Sequence, residues 1–112
     1  SIHFTLFRGL LGYRIFIIKK ANQSIFDKIK NLTDLQKLTG VQGLGWADVQ
    51  ILENAGLKQR TAKLESTFKM VNYGRVDYFS RGVSEAFVEV DGRKDILKNC
   101  NFSSQLSNWN KF

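Results

Sequence analysis

Val41-Gln42-Gly43-Leu44-Gly45-Trp46-Ala47-Asp48-Val49-Gln50-Ile51-Leu52-Glu53-Asn54-Ala55-Gly56 passes from a strand to a helix within sixteen residues. Val41-Gln42 reads as a very short strand and Gly43-Leu44-Gly45 as the turn that follows it. From Trp46 to Ala55, Val49 and Leu52 with neighbouring Ile51 and Ala55 form an apolar stripe, and Gly56 supplies the left-handed stop just past the helix. A strand feeding a helix through a tight turn is the building unit of α/β folds.

The same alternation extends in both directions. Upstream, Tyr13-Arg14-Ile15-Phe16-Ile17-Ile18 is a β-branched and aromatic run bounded by Gly12 and Lys19-Lys20, which predicts a buried strand. Ile2 to Phe7 predicts a strand before it, ended at Gly9. Ser24 to Ile29 predicts a short helix with Ser24 as N-cap. Thr33-Asp34-Leu35-Gln36 has capping-box spacing and opens a second short helix that stops before Gly40. Downstream, Leu57 to Thr61 predicts a strand, Leu64 to Tyr73 a helix ended by Gly74, and Val76 to Phe79 another strand. Ser80-Arg81-Gly82 then reads as a loop and Ser84 to Val90 as a helix. Together these predict a three-layer α/β lobe, with a mainly parallel sheet flanked by helices. After Asp91-Gly92 the pattern decays into Asn- and Ser-rich sequence, so residues 91–112 specify little structure.

Length and composition set the bounds. The 112 residues make a single domain, 1–112, and 43% hydrophobic with 24% charged residues is ordinary globular composition. A chain of this size buries roughly two-thirds of its unfolded surface, enough for a core without staples. No apolar run approaches the ~20 residues of a membrane span. The first residues have neither a charged n-region nor a long apolar stretch, and the missing initiator Met reads as a mature or excised segment. One cysteine, Cys100, excludes an internal disulfide framework, and one histidine, His3, excludes most histidine-based metal or triad chemistry. No cofactor is expected.

The formal charge of +7 invites a nucleic-acid reading, but its distribution argues against one. Residues 1–42 carry seven basic and two acidic side chains, residues 43–90 six of each, and residues 91–112 four and two. The excess is dispersed lysine rather than a stripe interleaved with exposed aromatics, so no nucleic-acid partner is expected.

In open α/β sheets the ligand crevice lies beyond the carboxyl ends of the strands. Two segments qualify. The glycines of Gly43-Leu44-Gly45-Trp46 allow close backbone approach to a ligand, and the helix that starts there offers unpaired N–H donors to an anion. The segment lacks the third glycine of a dinucleotide fingerprint and the Lys-Ser/Thr of a phosphate loop, so it can equally be a plain tight turn. In Ser80-Arg81-Gly82, Arg81 can present its guanidinium fork to a carboxylate, or simply be solvated or paired with Glu85. Trp46 can stack on a ligand or pack inward, and Asp48 suits the first-turn dipole of its helix better than catalysis. The candidate ligand-binding residues are therefore Gly43, Gly45, Trp46, Ser80, Arg81 and Gly82, with no catalytic or metal site.

Gly9-Leu10-Leu11-Gly12-Tyr13-Arg14, Leu32-Thr33-Asp34-Leu35, Gly43-Leu44-Gly45-Trp46-Ala47-Asp48 and Gly74-Arg75-Val76-Asp77-Tyr78-Phe79-Ser80-Arg81-Gly82 resemble bacterial extracytoplasmic solute-binding proteins. The resemblance is to the type 2 periplasmic binding proteins of the amino-acid-binding kind and covers roughly Phe7 to Val90. It implies the second of two lobes (7–90), with 91–112 returning toward a first lobe whose ligand-binding Arg and aromatic residues have no counterpart here. It also implies a non-enzymatic, periplasmic protein that closes on a small solute for ABC-type uptake or sensing, with a membrane permease or sensor as partner. Ser80-Arg81 stands where the family commonly has the acidic residue that holds an amino group, which turns the expectation from an amino acid toward an anionic solute. Gly43 to Trp46 and Ser80 to Gly82 are then expected side by side at the ends of adjacent strands. An accessory lobe of a lytic transglycosylase or sensor kinase is the alternative, and a basic nucleic-acid module a more distant one. Homodimerisation of the isolated chain is expected from its uncovered strand edges.

Overall fold

Ile15, Phe16, Ile17 and Ile18 have no exposed surface at all, and that continuous burial decides where their strand must lie. Successive side chains of a strand point to opposite faces, so an unbroken apolar run needs cover on both. In the computed structural model, which describes residues 2–9 and 12–82 (side chains 14–82), this run is the middle of β2, Gly12–Lys19. β1, Ile2–Gly9, pairs with it as a hairpin. The other strands are β3, Thr39–Gly43, β4, Lys58–Ala62, and β5, Tyr78–Gly82. All five form one sheet in the order β1-β2-β5-β3-β4.

β3 is parallel to both β4 and β5, as the alternation predicts, whereas β2 is antiparallel to β1 and to β5. Four strands thus point one way and β2 alone runs against them. The β2 run splits between two cores by its period of two. Ile15 and Ile17 join Val41, Val76 and Phe79 under Phe68 and Val71 of α4, Leu64–Asn72. Phe16 and Ile18 join Tyr78 under Phe26 of α1, Gln23–Asp27, Leu35 of α2, Leu32–Leu35, and Leu52 of α3, Ala47–Asn54. Helices on both faces of the sheet complete the three layers.

Three boundaries differ from expectation. α1 begins at Gln23, so Ser24 lies inside it, and Asn22 stands at the N-cap position without a side-chain cap. α2 is capped by Asn31, whose side chain accepts from the Asp34 N–H at 2.9 Å, while the Asp34 carboxylate accepts from the Lys30 N–H at 3.1 Å. Asn31 thus takes the N-cap role assigned to Thr33, because Asn is at least as good an N-cap as Thr, while Asp34 reaches back to the residue before the cap. Gln36 instead donates to the Ala55 carbonyl at 3.0 Å. The last strand begins at Tyr78 rather than Val76. Asp77 occupies its lead-in, accepting from the Thr39 N–H at 2.8 Å and donating its own N–H to the Thr39 carbonyl at 2.7 Å. That double contact sets the register at Gly40 opposite Tyr78. Ser80, Arg81 and Gly82, expected in a loop, consequently lie inside β5. The helix expected over 84–90, Glu85, Cys100 and the 91–112 segment lie outside the described residues.

Tyr78 shows how tightly the second core is filled. Its ring stacks on Phe16 at 5.0 Å and meets Phe26 edge-on at 6.1 Å. Burial pushes its hydroxyl far above the usual tyrosine range, so it stays neutral, and it accepts a hydrogen bond from Gln59 at 2.9 Å. A Cβ on Gly40 would run into this ring. Gly40→Ala is therefore expected to destabilise the protein by about 1–3 kcal/mol. Denaturant unfolding should show a lowered midpoint with an unchanged slope, and an unchanged midpoint would refute the packing account.

Candidate ligand-binding site

β3 and β5 are adjacent and parallel, so Gly43 and Gly82 end side by side at the same edge of the sheet. From Gly43 the chain turns through Leu44 and Gly45, the latter at φ +77°, a conformation glycine adopts without strain. The Trp46 N–H closes the turn on the Gly43 carbonyl at 3.1 Å, and α3 starts at Ala47. Trp46 occupies the N-cap position, and no side chain caps the helix there. A depression of about 430 Å³ opens at this point, lined by Trp46, Ala47, Asp48 and Arg81.

Arg81 and Trp46 form the centre of the depression. The guanidinium carbon lies 4.2 Å from the centroid of the indole and 5.7 Å from that of Phe79. The indole tilts against Phe79 at 6.1 Å and packs on the first core. The two segments picked out as candidates are thus in contact through Arg81 and Trp46. Arg81 is only 9% exposed, which excludes the solvated reading of this residue.

Individual roles divide differently from expectation. Gly43 does not leave its empty side for a ligand: a Cβ there would enter the Trp46 ring, so the glycine makes room for the indole. Gly45 has nothing within 4 Å of its would-be Cβ and serves the turn. Ser80 is fully buried and faces away from Arg81, as neighbours in a strand must. Its hydroxyl accepts from Arg14 Nε at 2.6 Å, so it belongs beneath the depression rather than in it. Gly82 ends β5 opposite Arg14.

Arg14 was missed by sequence reasoning. Buried in β2, it donates from Nη2 to Asp48 Oδ2 at 2.7 Å and to the Ser80 carbonyl at 3.4 Å. The same carbonyl accepts from Gln42 Nε2 at 2.5 Å. The available signal was a single arginine inside the apolar run Tyr13–Ile18, where a buried charge requires a partner. Asp48 sits in the first turn of α3 as expected, and Arg14 is what it pairs with. Chemically, the arrangement can receive an anionic or hydrogen-bond-accepting group from Arg81 and the α3 amides, over an aromatic wall. Among the described residues no His, Cys, Asp or Glu cluster is placed to hold a metal ion, and no helix is long and apolar enough to cross a membrane.

No protein-family model and no curated protein matches the chain. Solved structures that share its fold include two ancestral binding proteins. An ancestral arginine-binding protein bound to arginine is 26% identical with a TM-score of 0.51, over 72% of this chain and 36% of that one. An ancestral amino-acid-binding protein, a precursor of cyclohexadienyl dehydratase, is 23% identical with a TM-score of 0.55, over 80% of this chain and 40% of that one. The chain therefore has the fold of a lobe of a type 2 periplasmic binding protein, and it spans well under half the length of these relatives.

The Gly43–Trp46 contact makes a direct prediction. Gly43→Ala should destabilise the chain by about 1–3 kcal/mol through overpacking. In a Trp109→Phe background it should also shift the emission of Trp46 to the red as the indole is pushed toward solvent. An unmoved emission maximum would show that the backbone, not the ring, yields.

Proposed function

We propose that the chain is the second lobe of a two-lobed, non-enzymatic solute-binding protein and supplies half of a cleft for a small solute bearing an anionic group. The observation that carries this reading is the Arg81 guanidinium held over Trp46 at the lip of β3 and β5, beside the first turn of α3. A permanently charged fork and a helix start, which together favour negative charge, face one depression. The proteins that share the chain's fold are an arginine-binding protein and an amino-acid-binding protein, which supports a small-molecule solute. That this chain spans 36% and 40% of their lengths fits one lobe of two. Hinge closure of the lobes over the solute is the expected working motion, since each lobe contributes contacts the other lacks. A periplasmic location, with delivery to a membrane permease or a sensor, belongs to the same proposal.

The role of Arg81 in this reading is to bond the anionic group, with Trp46 forming a wall and the α3 amides a second set of donors. Ser80 supports β5 from beneath. Asp48 lines the depression as well, and Arg14 balances its charge.

A thermal-shift and calorimetric panel of free amino acids and small mono- and dicarboxylates on the two-lobed protein tests this. Solutes with an anionic group are expected to stabilise it, and Arg81→Ala should weaken the best of them by about 1.5–3 kcal/mol, the worth of a hydrogen bond to a charged group. A variant that binds as tightly as the parent would refute the assignment. The 112-residue chain alone should show no micromolar binding, because a single lobe cannot enclose a ligand.

A further inference from the structure

Arg14 lies outside the depression yet touches both segments that form it. Its Nε donates to Ser80 Oγ at 2.6 Å and its Nη2 to Asp48 Oδ2 at 2.7 Å. Ser80 immediately precedes Arg81 on β5, and Asp48 follows Trp46 by two residues at the start of α3. Arg14 itself is opposite Gly82 in the β2–β5 register, one pleat from the Ile15–Arg81 pair. One guanidinium therefore ties the end of β5 to the first turn of α3 on one face of the sheet. On the other face Arg81 stacks on Trp46.

We infer that Arg14 is a positioning residue: by bonding Ser80 and Asp48 at once, it holds the β5 end and the α3 start at the separation that sets Arg81 over the Trp46 ring. The side-chain geometry favours this over a purely stabilising ion pair. Ser80 and Arg81 are neighbours in one strand, so their side chains point to opposite faces and fixing Ser80 fixes the Cα from which Arg81 departs. The turn Leu44–Gly45 between β3 and α3 is held by backbone bonds to Ala62 and Gly43, which fix its path but make no bond to β5. The planar fork of arginine satisfies two acceptors in fixed directions, which a lysine ammonium on a flexible stem does not. The salt bridge is shielded, with side-chain exposures of 10% for Arg14 and 24% for Asp48, so solvent does little to loosen it. The functional meaning of this brace rests on the solute-binding reading above, but its geometry does not.

The experiment is acrylamide quenching of Trp46 fluorescence in the 112-residue chain with Trp109→Phe, which leaves a single indole. Acrylamide is neutral, so it reports shielding of the ring and not local charge. Arg81→Met should raise the quenching constant by uncovering the indole, and Arg14→Met should raise it to a similar value. Arg14→Lys keeps the charge without the fork, so it should also raise the constant while losing less thermal stability than Arg14→Met. Arg60→Met, which removes an exposed charge from the β4 edge, should leave the constant at its starting value. A merely structural Arg14 would lower the melting temperature but leave quenching of the folded protein unchanged. That result in Arg14→Met, read well below its transition and with native far-UV dichroism, overturns the proposal. If Arg14→Met does not fold, Arg14→Lys decides by the same criterion, and an equal rise in Arg60→Met also overturns it. No solute enters the measurement, so its failure leaves the solute-binding reading to its own panel.

Discussion

The continuous burial of Ile15 to Ile18 is the constraint from which the rest of the lobe follows. Four successive apolar side chains cannot face solvent on either side of a strand, so β2 needs strands beside it and helices above and below. β1 and β5 flank it, α4 covers the Ile15–Ile17 side, and the α1 to α3 group covers the Phe16–Ile18 side. β1 and β4 are the two edges of the sheet, and on β4 the exposed Lys58 and Arg60 discourage another strand from adding there. Placing β2 between β1 and β5 also brings Arg14, next to its buried apolar run, to the end of the sheet where β3 and β5 stop.

That coincidence gives the site its electrostatic character. Two arginines and one carboxylate meet where the sheet feeds α3. Because Arg14 and Asp48 are within 2.7 Å of each other, their charges largely cancel at the depression. Arg81 lies on the other side of β5, buried against Trp46 and Phe79. The proteins that share the chain's fold are an arginine-binding protein and an amino-acid-binding protein, and this end of the lobe presents a guanidinium at the depression.

Much of this was legible in the residues because it is local. The β2 run, the helix α3 with Gly56 behind it at φ +83°, and the helix α4 with Gly74 behind it at φ +75° are each written within one turn or strand, although of the α3 stripe only Leu52 is buried and Ile51 is exposed. The pairing of Gly43–Trp46 with Arg81 came from the order of strand and loop segments and from the family resemblance. What was not legible depends on contacts between distant positions. Arg14 meets Asp48 across 34 residues and Ser80 across 66, and no local pattern encodes either partner. The misplaced start of β5 has a similar origin. Val76 looks like a strand residue because it is apolar and buried, but the bonds between Asp77 and Thr39 hold the ladder back to Tyr78. Ser80 was placed in a loop for its polarity, and its polarity is spent inside the fold on an arginine that the run from Tyr13 to Ile18 hides.

Gly43 and Trp46 share one volume, and this makes them a single heritable unit rather than two sites. A larger residue at 43 is accommodated only if 46 becomes smaller, and a smaller residue at 46 strips Arg81 of its stacking surface while 43 stays empty. Each single substitution therefore costs packing that only the paired change restores. Leu44, 68% exposed in the same turn, carries no such linkage, so its side chain can change without disturbing the wall behind it.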